Sequence, residues 1–155
     1  MVVENRYHRD MSTWSSEVQD RLRLAGYRNG AARTALVDLL DTQSCCASAA
    51  DLHEAVRRRG RNVGLASVYR VLDSLLESGL VQRVDVGDGV ARYEPVRTSG
   101  EHHHHLVCTG CGKVEAFTDP SLERAINRVE VTSGYAVDTH DVVLHGACAD
   151  CQPAA

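Results

Sequence analysis

The sequence lacks long apolar runs, an apolar N-terminal segment and a recognisable catalytic signature. No apolar run approaches the roughly 20 residues of a transmembrane helix, so the sequence predicts no membrane contact. Residues 1–20 are polar and charged, unlike a secretory signal. We therefore expect a cytoplasmic protein in a reducing compartment. The absence of an H-E-x-x-H motif leaves a zinc-dependent hydrolytic enzyme, which would activate water at an open His/Glu site, as a weaker alternative.

An overall excess of positive charge is also missing, because the formal net charge is −4. The distribution is nevertheless uneven. Residues 1–100 contain 14 Arg and 13 acidic residues, whereas residues 101–155 contain three basic and eight acidic residues. A near-neutral first part that is rich in arginine and an acidic second part indicate two different functions.

Two Cys-x-x-Cys pairs are the strongest signal in the chain. Cys108 and Cys111 form the first pair, Cys148 and Cys151 form the second, and 36 residues separate them. Thiolates are preferred zinc ligands, and two such pairs supply the four sulfurs of a closed tetrahedral site. The alternative is a pair of disulfides, which a reducing compartment disfavours. We predict structural Zn²⁺ that joins two separate elements and contributes to folding.

The first part of the chain has the apolar spacing of four helices. The predicted ranges are 14–25, 31–40, 49–59 and 66–78. After Gly79 the period changes from about 3.6 to 2, and apolar alternation flanks Gly87-Asp88-Gly89, which indicates a β-hairpin. Helices followed by a hairpin are the order of a winged helix-turn-helix domain, in which the fourth helix, directly before the wing, is the recognition helix.

Polar residues early in the fourth helix are candidates for DNA contact. Ser67, Tyr69 and Arg70 could reach base edges or phosphates in the major groove. Tyr69 could equally be a core aromatic residue. Arginines could contact phosphates, although those between positions 57 and 61 could form a solvated helix end that interacts favourably with the helix dipole. The arginine candidates are Arg28, Arg33, Arg57, Arg58, Arg59 and Arg61.

The second part of the chain has a different pattern. Short strands flank the first cysteine pair, a helix is predicted over 120–133, and apolar alternation over 135–144 predicts a strand that leads to the second pair. This β-α-β segment is too small to cover both faces of its sheet, so we expect a homodimer. The predicted fold class is α+β: a winged helix-turn-helix domain (12–94), a hinge (95–100) and a small α/β dimerisation domain (101–155).

The combination of these motifs resembles one known family. GLASVYRVLDSL, a hairpin, EHHHHLVCTGCGKVE, a helix, and then His140 before GACADC are similar to the ferric uptake regulator superfamily, in its branch of zinc and iron uptake regulators. The resemblance covers residues 14–151. It implies a dimeric, metal-activated transcriptional repressor that binds a palindromic double-stranded DNA operator and controls metal homeostasis.

The resemblance also implies three metal sites. The four cysteines match its structural zinc site. A regulatory Zn²⁺ or Fe²⁺ site at the hinge would use Cys46, Glu94, His103 and His105. A second site in the dimerisation domain would use His102, His104, Glu123 and His140. The histidines divide in this way because alternate residues of a strand point to opposite faces.

Two observations bear on the sensed metal and disagree. Cys46 stands where the family often has histidine, and sulfur favours zinc. Glu94 is the choice of iron-sensing relatives, so zinc is favoured only slightly over ferrous iron. A peroxide-sensing iron regulator would need oxygen-rich ligation, which Cys46 suits poorly. Cys45 could replace Cys46 as the hinge ligand, and Cys46 could be a small buried apolar residue instead.

Overall fold

A computed structural model describes residues 11–28, 30–97 and 102–152, and for residues 11–13 it describes the backbone alone. The chain divides into two compact units, residues 1–100 and 101–155. Asn29 between the first two predicted helices, residues 98–100 of the predicted hinge and both ends of the predicted dimerisation domain lie outside the described residues. In the part of the chain that is described, no helix is both long and apolar enough to cross a membrane.

Four helices form the frame of the first unit, and their ends lie within three residues of those predicted. They are α1 (Met11–Leu24), α2 (Ala31–Asp41), α3 (Ala49–Arg58) and α4 (Leu65–Glu77). A capping box begins α3, because the Ser48 hydroxyl accepts from the Asp51 amide and the Asp51 carboxylate accepts from the Ser48 amide. The helices bury an aliphatic core that includes Leu36, Leu40, Leu52, Leu72 and Leu75. Each such side chain contributes roughly 1.5–3 kcal/mol on burial.

A three-stranded antiparallel sheet completes the first unit. Its order is β1 (Ala47–Ser48), β3 (Arg92–Pro95), β2 (Val81–Val84). Strands β2 and β3 form the predicted hairpin, with Val84 opposite Arg92, and residues 85–91 connect them. The Arg92 guanidinium donates two hydrogen bonds of 2.8 Å to the Asp88 carboxylate, which holds this loop, the wing, against its second strand. The short strand β1 was not predicted; it pairs Ala47 with Tyr93 and so joins the start of α3 to the wing.

The residues that follow the wing remain attached to the first unit. Pro95 is the last residue of β3. The Trp14 indole N–H donates to the Val96 carbonyl at 3.1 Å, and the Arg97 guanidinium donates to the Asp41 carbonyl at 3.1 Å. The described residues of the predicted hinge are therefore bonded to the helical core, and a flexible hinge from residue 95 stays a prediction.

The second unit contains a mixed sheet and one helix. The sheet order is β5 (Val114–Phe117), β4 (His104–Cys108), β6 (Val143–Gly146), with β4 antiparallel to β5 and parallel to β6. Helix α5 (Pro120–Ser133) begins where the Asp119 side chain accepts from the Ser121 and Leu122 amides, and ends at Gly134, whose φ is +74°. The described chain is thus α+β, as predicted.

One secondary-structure prediction is wrong. Apolar alternation predicted a strand over 135–144, but only its last two residues lie in β6, and 135–142 form neither helix nor strand. Tyr135 and Val137 are exposed in the single chain, with 76% and 39% of their surfaces accessible. Alternation indicated which residues share a face, but a strand also requires a hydrogen-bonding neighbour.

Candidate metal centres and nucleic-acid interface

The four predicted zinc ligands form one cluster in the second unit. Cys108 ends β4, and the second pair follows β6; parallel pairing of these strands, with Cys108 opposite Gly146, brings the two pairs together. The four sulfurs lie within 4.8 Å of one another, and those of Cys111 and Cys148 are 3.8 Å apart. Two sulfurs at 2.3 Å from a tetrahedral ion stand about 3.8 Å apart. The spacing therefore fits a single zinc ion.

Backbone amides favour the thiolate form of Cys108. The Cys148 amide donates to the Cys108 sulfur at 3.3 Å, and this bond, with others from the Cys111 and Gly110 amides, lowers the pKa of Cys108 to about 6. The neighbouring Cys148 and Cys108 side chains raise the pKa of Cys151 to about 12. The cluster thus favours ionisation of one cysteine over another before a metal is bound, and zinc binding must displace the remaining protons.

Gly110 is a residue of this cluster that the sequence prediction missed. A Cβ atom built at Gly110 would lie 3.1 Å from both the Cβ and the Sγ atoms of Cys151. That separation is shorter than ordinary van der Waals contact, so a residue with a Cβ atom at this position would require Cys151 to shift by a few tenths of an ångström. The signal in the sequence is the glycine directly before the second cysteine of the first pair.

A second cluster in the same unit brings together the four residues of the second predicted metal site. Its members are His102, His104, Glu123 and His140, and their ligand atoms lie within 4.8 Å of one another. Glu123 contacts all three histidines through its carboxylate oxygens. The distance to Nε2 is 2.6 Å for His104, 3.3 Å for His102 and 3.2 Å for His140. Three nitrogens and a carboxylate are a ligand set that suits a divalent transition metal.

Glu123 is positioned by the first turn of α5 and is held as a carboxylate. The hydrogen bond to the His104 imidazole, and then the charges of His102 and His140, hold the pKa of Glu123 below its usual value. His104 is 1% exposed. Among the described residues its buried Nδ1 has no hydrogen-bond partner, so Nε2 carries its contact with the cluster.

The residues predicted for the regulatory site come from both units: Cys46 and Glu94 from the first, and His103 and His105 from the second. In the first unit, a Glu94 carboxylate oxygen and the Cys46 sulfur lie within 4.8 Å of each other. Both residues are buried, and a hydrogen bond with Cys45, followed by burial, raises the pKa of the Cys46 thiol. In the second unit, the His103 and His105 ring centroids are 5.0 Å apart. The assignment of all four to one site stays a prediction.

The recognition helix exposes two of the polar residues that were predicted to contact DNA, Tyr69 and Arg70, and leaves the third, Ser67, half-buried. Helix α4 buries one apolar face in the core, and Tyr69 is 46% exposed, which contradicts the alternative of a core aromatic residue. The exposed Arg70 guanidinium donates to the Ser67 hydroxyl at 3.0 Å, so these two candidates lie side by side. Their contact with DNA stays a prediction.

The arginine candidates differ in what they contact within the protein. The Arg33 guanidinium lies 5.1 Å from the Tyr27 ring and donates to the Arg28 carbonyl, which indicates a local structural role. Arg58 pairs with Glu54, and Arg59 donates to the Thr42 hydroxyl at 3.1 Å. The other three candidates have exposed side chains: Arg28, Arg57 and Arg61.

Comparison with known proteins identifies relatives along nearly the whole chain. Residues 24–145 match the model of the ferric uptake regulator family. The chain is 39% identical over 128 residues to the zinc uptake regulation protein of Mycobacterium tuberculosis, covering 83% of this chain and 97% of that protein. It is 38% identical over 105 residues to the ferric uptake regulation protein of Bordetella parapertussis, covering 68% and 74%.

A solved structure has the same fold. The Helicobacter pylori ferric uptake regulator, described as having three functional metal binding sites, superposes with a TM-score of 0.77 at 25% identity, covering 93% of this chain and 95% of that one. The α+β fold class predicted from the sequence is therefore confirmed.

Proposed function

The chain belongs to the ferric uptake regulator family, and on that premise we propose that it is a metal-responsive transcriptional repressor that binds a palindromic operator as a homodimer. The observation that carries the proposal is the family match over residues 24–145, which spans the recognition helix, the wing and all the candidate metal ligands except Cys148 and Cys151. The family consists of transcription regulators, so the metal clusters serve regulation and folding rather than catalysis. Its place of action is the cytoplasm.

The first unit would bind DNA through α4 and the wing. Helix α4 exposes Tyr69 and Arg70 outside its buried face and leaves Ser67 half-buried, and a helix with polar residues at its surface can enter the major groove. Exposed arginines would add phosphate contacts, which supply affinity without sequence information. Arg28 and Arg57 are the stronger candidates for these contacts, because Arg33 is engaged with Tyr27.

The second unit would form the dimer. Helix α5 buries none of its residues in the single chain, and Val129 is 61% exposed. Tyr135 and Leu144 leave further apolar surface accessible in the same unit. An uncovered apolar surface of this kind is characteristic of a protein interface. A second copy would cover it and would give the DNA-binding units the twofold symmetry of a palindrome.

The three ligand sets would have different functions. The four-cysteine cluster would hold structural Zn²⁺. Cys46, Glu94, His103 and His105 would hold the sensed ion, with zinc slightly favoured over ferrous iron. The set formed by His102, His104, Glu123 and His140 would hold a further ion. A bound ion with ligands in both units would restrict their relative orientation, and hence the separation of the two recognition helices in the dimer, so metal and operator would bind cooperatively.

The test is operator binding as a function of free metal. The zinc-loaded protein first selects a palindromic duplex from a random library. Binding of that labelled duplex is then titrated against buffered Zn²⁺ and, anaerobically, Fe²⁺, with zinc retained in the four-cysteine cluster. We expect the sensed metal to raise operator affinity by roughly 5- to 150-fold. Equal operator affinity with and without either metal would contradict the proposal.

Two variants test whether the metal dependence of operator binding requires His103 and His105. Replacing both His103 and His105 by Ala should abolish the metal dependence while leaving a folded dimer. His145→Ala is the matched control, because His145 is an exposed histidine on β6 of the same unit, outside the ligand clusters. A control variant that lost the response as fully would show that the two histidines are not specific to it.

A further inference from the structure

A row of three side chains crosses the sheet of the first unit. Gln82 of β2 lies directly opposite Glu94 of β3. On the other side of β3, β1 pairs Ala47 with Tyr93, and continuing this antiparallel register by one residue places Cys46 opposite Glu94. Partners that stand opposite each other in neighbouring strands point to the same face of the sheet. Glu94 therefore lies between Gln82 on one side and Cys46 on the other.

The Glu94 carboxylate is held from the β2 side. Glu94 is 6% exposed, and the Gln82 side-chain amide donates to its Oε1 atom at 2.6 Å. On the β1 side, the Cys46 sulfur lies within 4.8 Å of a Glu94 carboxylate oxygen. Gln82 is itself exposed, so its substitution leaves the core of the unit intact. The row thus combines two proposed ligands of the sensed ion with a third residue that binds one of them.

The hydrogen bond from Gln82 restricts how Glu94 can bind a metal. A carboxylate binds a cation through one oxygen or through both. Binding through both oxygens requires Oε1 to give up or share its bond to Gln82. With that bond intact, Glu94 contributes one ligand atom, as each protein ligand of a four-coordinate zinc ion does. Ferrous iron in histidine and carboxylate sites retains further open positions, so it gains from the second oxygen.

We propose that Gln82 is a positioning residue of the sensed-metal site: it holds Glu94 as a ligand with one oxygen and thereby favours Zn²⁺ over Fe²⁺. A hydrogen-bonding partner of a ligating carboxylate acts on metal affinity without touching the ion. The inference rests on the proposed function, which assigns Cys46 and Glu94 to the sensed ion. It goes further by naming a residue that sets the choice of metal.

Cobalt substitution of the full-length protein isolates this site. The reduced protein keeps zinc in the four-cysteine cluster, as zinc analysis verifies, and receives Co²⁺ in its other sites. Sulfur-to-cobalt charge-transfer absorption then reports the sensed-metal site alone, because the cluster of His102, His104, Glu123 and His140 contains no sulfur. Cys46→Ser should remove this absorption.

The preference for zinc is measured by displacing the cobalt. Under anaerobic conditions the absorption is titrated against buffered free Zn²⁺ and, separately, Fe²⁺, and the half-displacement concentration of Fe²⁺ is divided by that of Zn²⁺. Gln82→Met keeps the length of the side chain but removes the donor. It should lower this ratio by at least about tenfold, the smaller end of the loss seen on removing metal-site partners. Arg83→Met is the matched control and should leave the ratio unchanged, because Arg83 is exposed and points to the opposite face of β2.

An unchanged ratio in Gln82→Met would overturn the inference, since a residue that only stabilised the hairpin would alter the affinities for both metals alike. An equal fall in Arg83→Met, or absorption that is absent from the unmodified protein or persists in Cys46→Ser, would overturn it as well. Failure of the proposed function has a different signature: the operator would bind independently of metal although Gln82→Met still lowered the ratio. Metal-dependent operator binding with an unchanged ratio would preserve the proposed function and refute the role of Gln82.

Discussion

The two units bury apolar surface in different ways. In the first unit, four helices and a sheet enclose an aliphatic core, in which Leu72 and Leu75 are completely buried. In the second, Val107 and Cys108 are the buried apolar residues of the described part, and α5 has none. A segment of that size buries too little surface to fold on apolar contacts alone. The difference gives a physical reason for the predicted zinc ligands and the expected dimer surface to lie in the second unit.

The largest expected effect follows from removing a zinc ligand from the second unit. Structural zinc contributes about 10–16 kcal/mol in small zinc domains, which exceeds the net stability of a typical domain. Cys108→Ser should therefore abolish zinc binding and the β4–β6 sheet, as measured by zinc content and far-ultraviolet circular dichroism. The fluorescence of Trp14, the single tryptophan, is expected to stay native because Trp14 is buried in the first unit.

Thr109→Ser is the matched control for this change, since it keeps a hydroxyl that can donate to the Gly146 carbonyl beside the cluster. It should retain zinc. Simultaneous loss of native Trp14 fluorescence in Cys108→Ser would show that the two units do not fold independently.

A cavity in the first unit should have a smaller effect that is confined to that unit. Leu72→Ala should lower its free energy of unfolding by about 2–5 kcal/mol, because Leu72 is fully buried. Denaturant titration followed by Trp14 fluorescence measures the change. Leu65→Ala on the same helix is the control, since Leu65 is 40% exposed. Zinc content should be the same in both variants, and a parallel loss of zinc would refute the contrast between the units.

Much of the first unit could be predicted from sequence because its signals are local. Apolar spacing placed the four helices, and the change of period after Gly79 placed the hairpin. Strand β1 was missed because two residues carry no periodicity, and its pairing with Tyr93 is a long-range contact. The bonds of Trp14 to Val96 and of Arg97 to Asp41 were missed for the same reason.

The two clusters of candidate ligands in the second unit contain the residues predicted from the sequence, since cysteine pairs and histidine alternation identify residue types and faces. Their arrangement was not. Parallel pairing of β4 with β6 unites the two cysteine pairs, and no local pattern specifies it. The close approach of Gly110 to Cys151 depends on that pairing. The incorrect strand at 135–144 has a related cause, because its alternation marks apolar residues that the single chain leaves exposed.

The proposed dimer should depend on the exposed apolar face of α5. Val129→Ala removes two carbon atoms in each copy, and a twofold interface counts the change twice, so dimerisation should weaken by about 2–3 kcal/mol. The dimer dissociation constant should rise by roughly 30- to 150-fold, as measured by sedimentation equilibrium. Val131→Ala is the control, because Val131 is 83% exposed and lies half a turn away on the same helix. Equal effects of the two substitutions would refute the assignment of this face.

The smallest expected effect concerns the wing of the first unit, where stability depends on an ion pair instead of on apolar burial or metal. The hydrogen bonds from Arg92 lower the pKa of Asp88 from 3.8 to about 2. A carboxyl group whose pKa is lower in the folded protein than in the unfolded chain stabilises the fold at pH values above the unfolded pKa. This contribution is lost as the pH falls through the folded pKa.

Asp88→Asn should therefore lower the denaturation midpoint above about pH 4, as measured by Trp14 fluorescence. The difference from the unmodified protein should shrink toward pH 2. In an Arg92→Leu background the same substitution should produce no such pH-dependent difference. The absence of any difference between pH 7 and pH 2 would mean that Asp88 acts through its bond to the Val90 amide, which asparagine can retain, and not through the charge of Arg92.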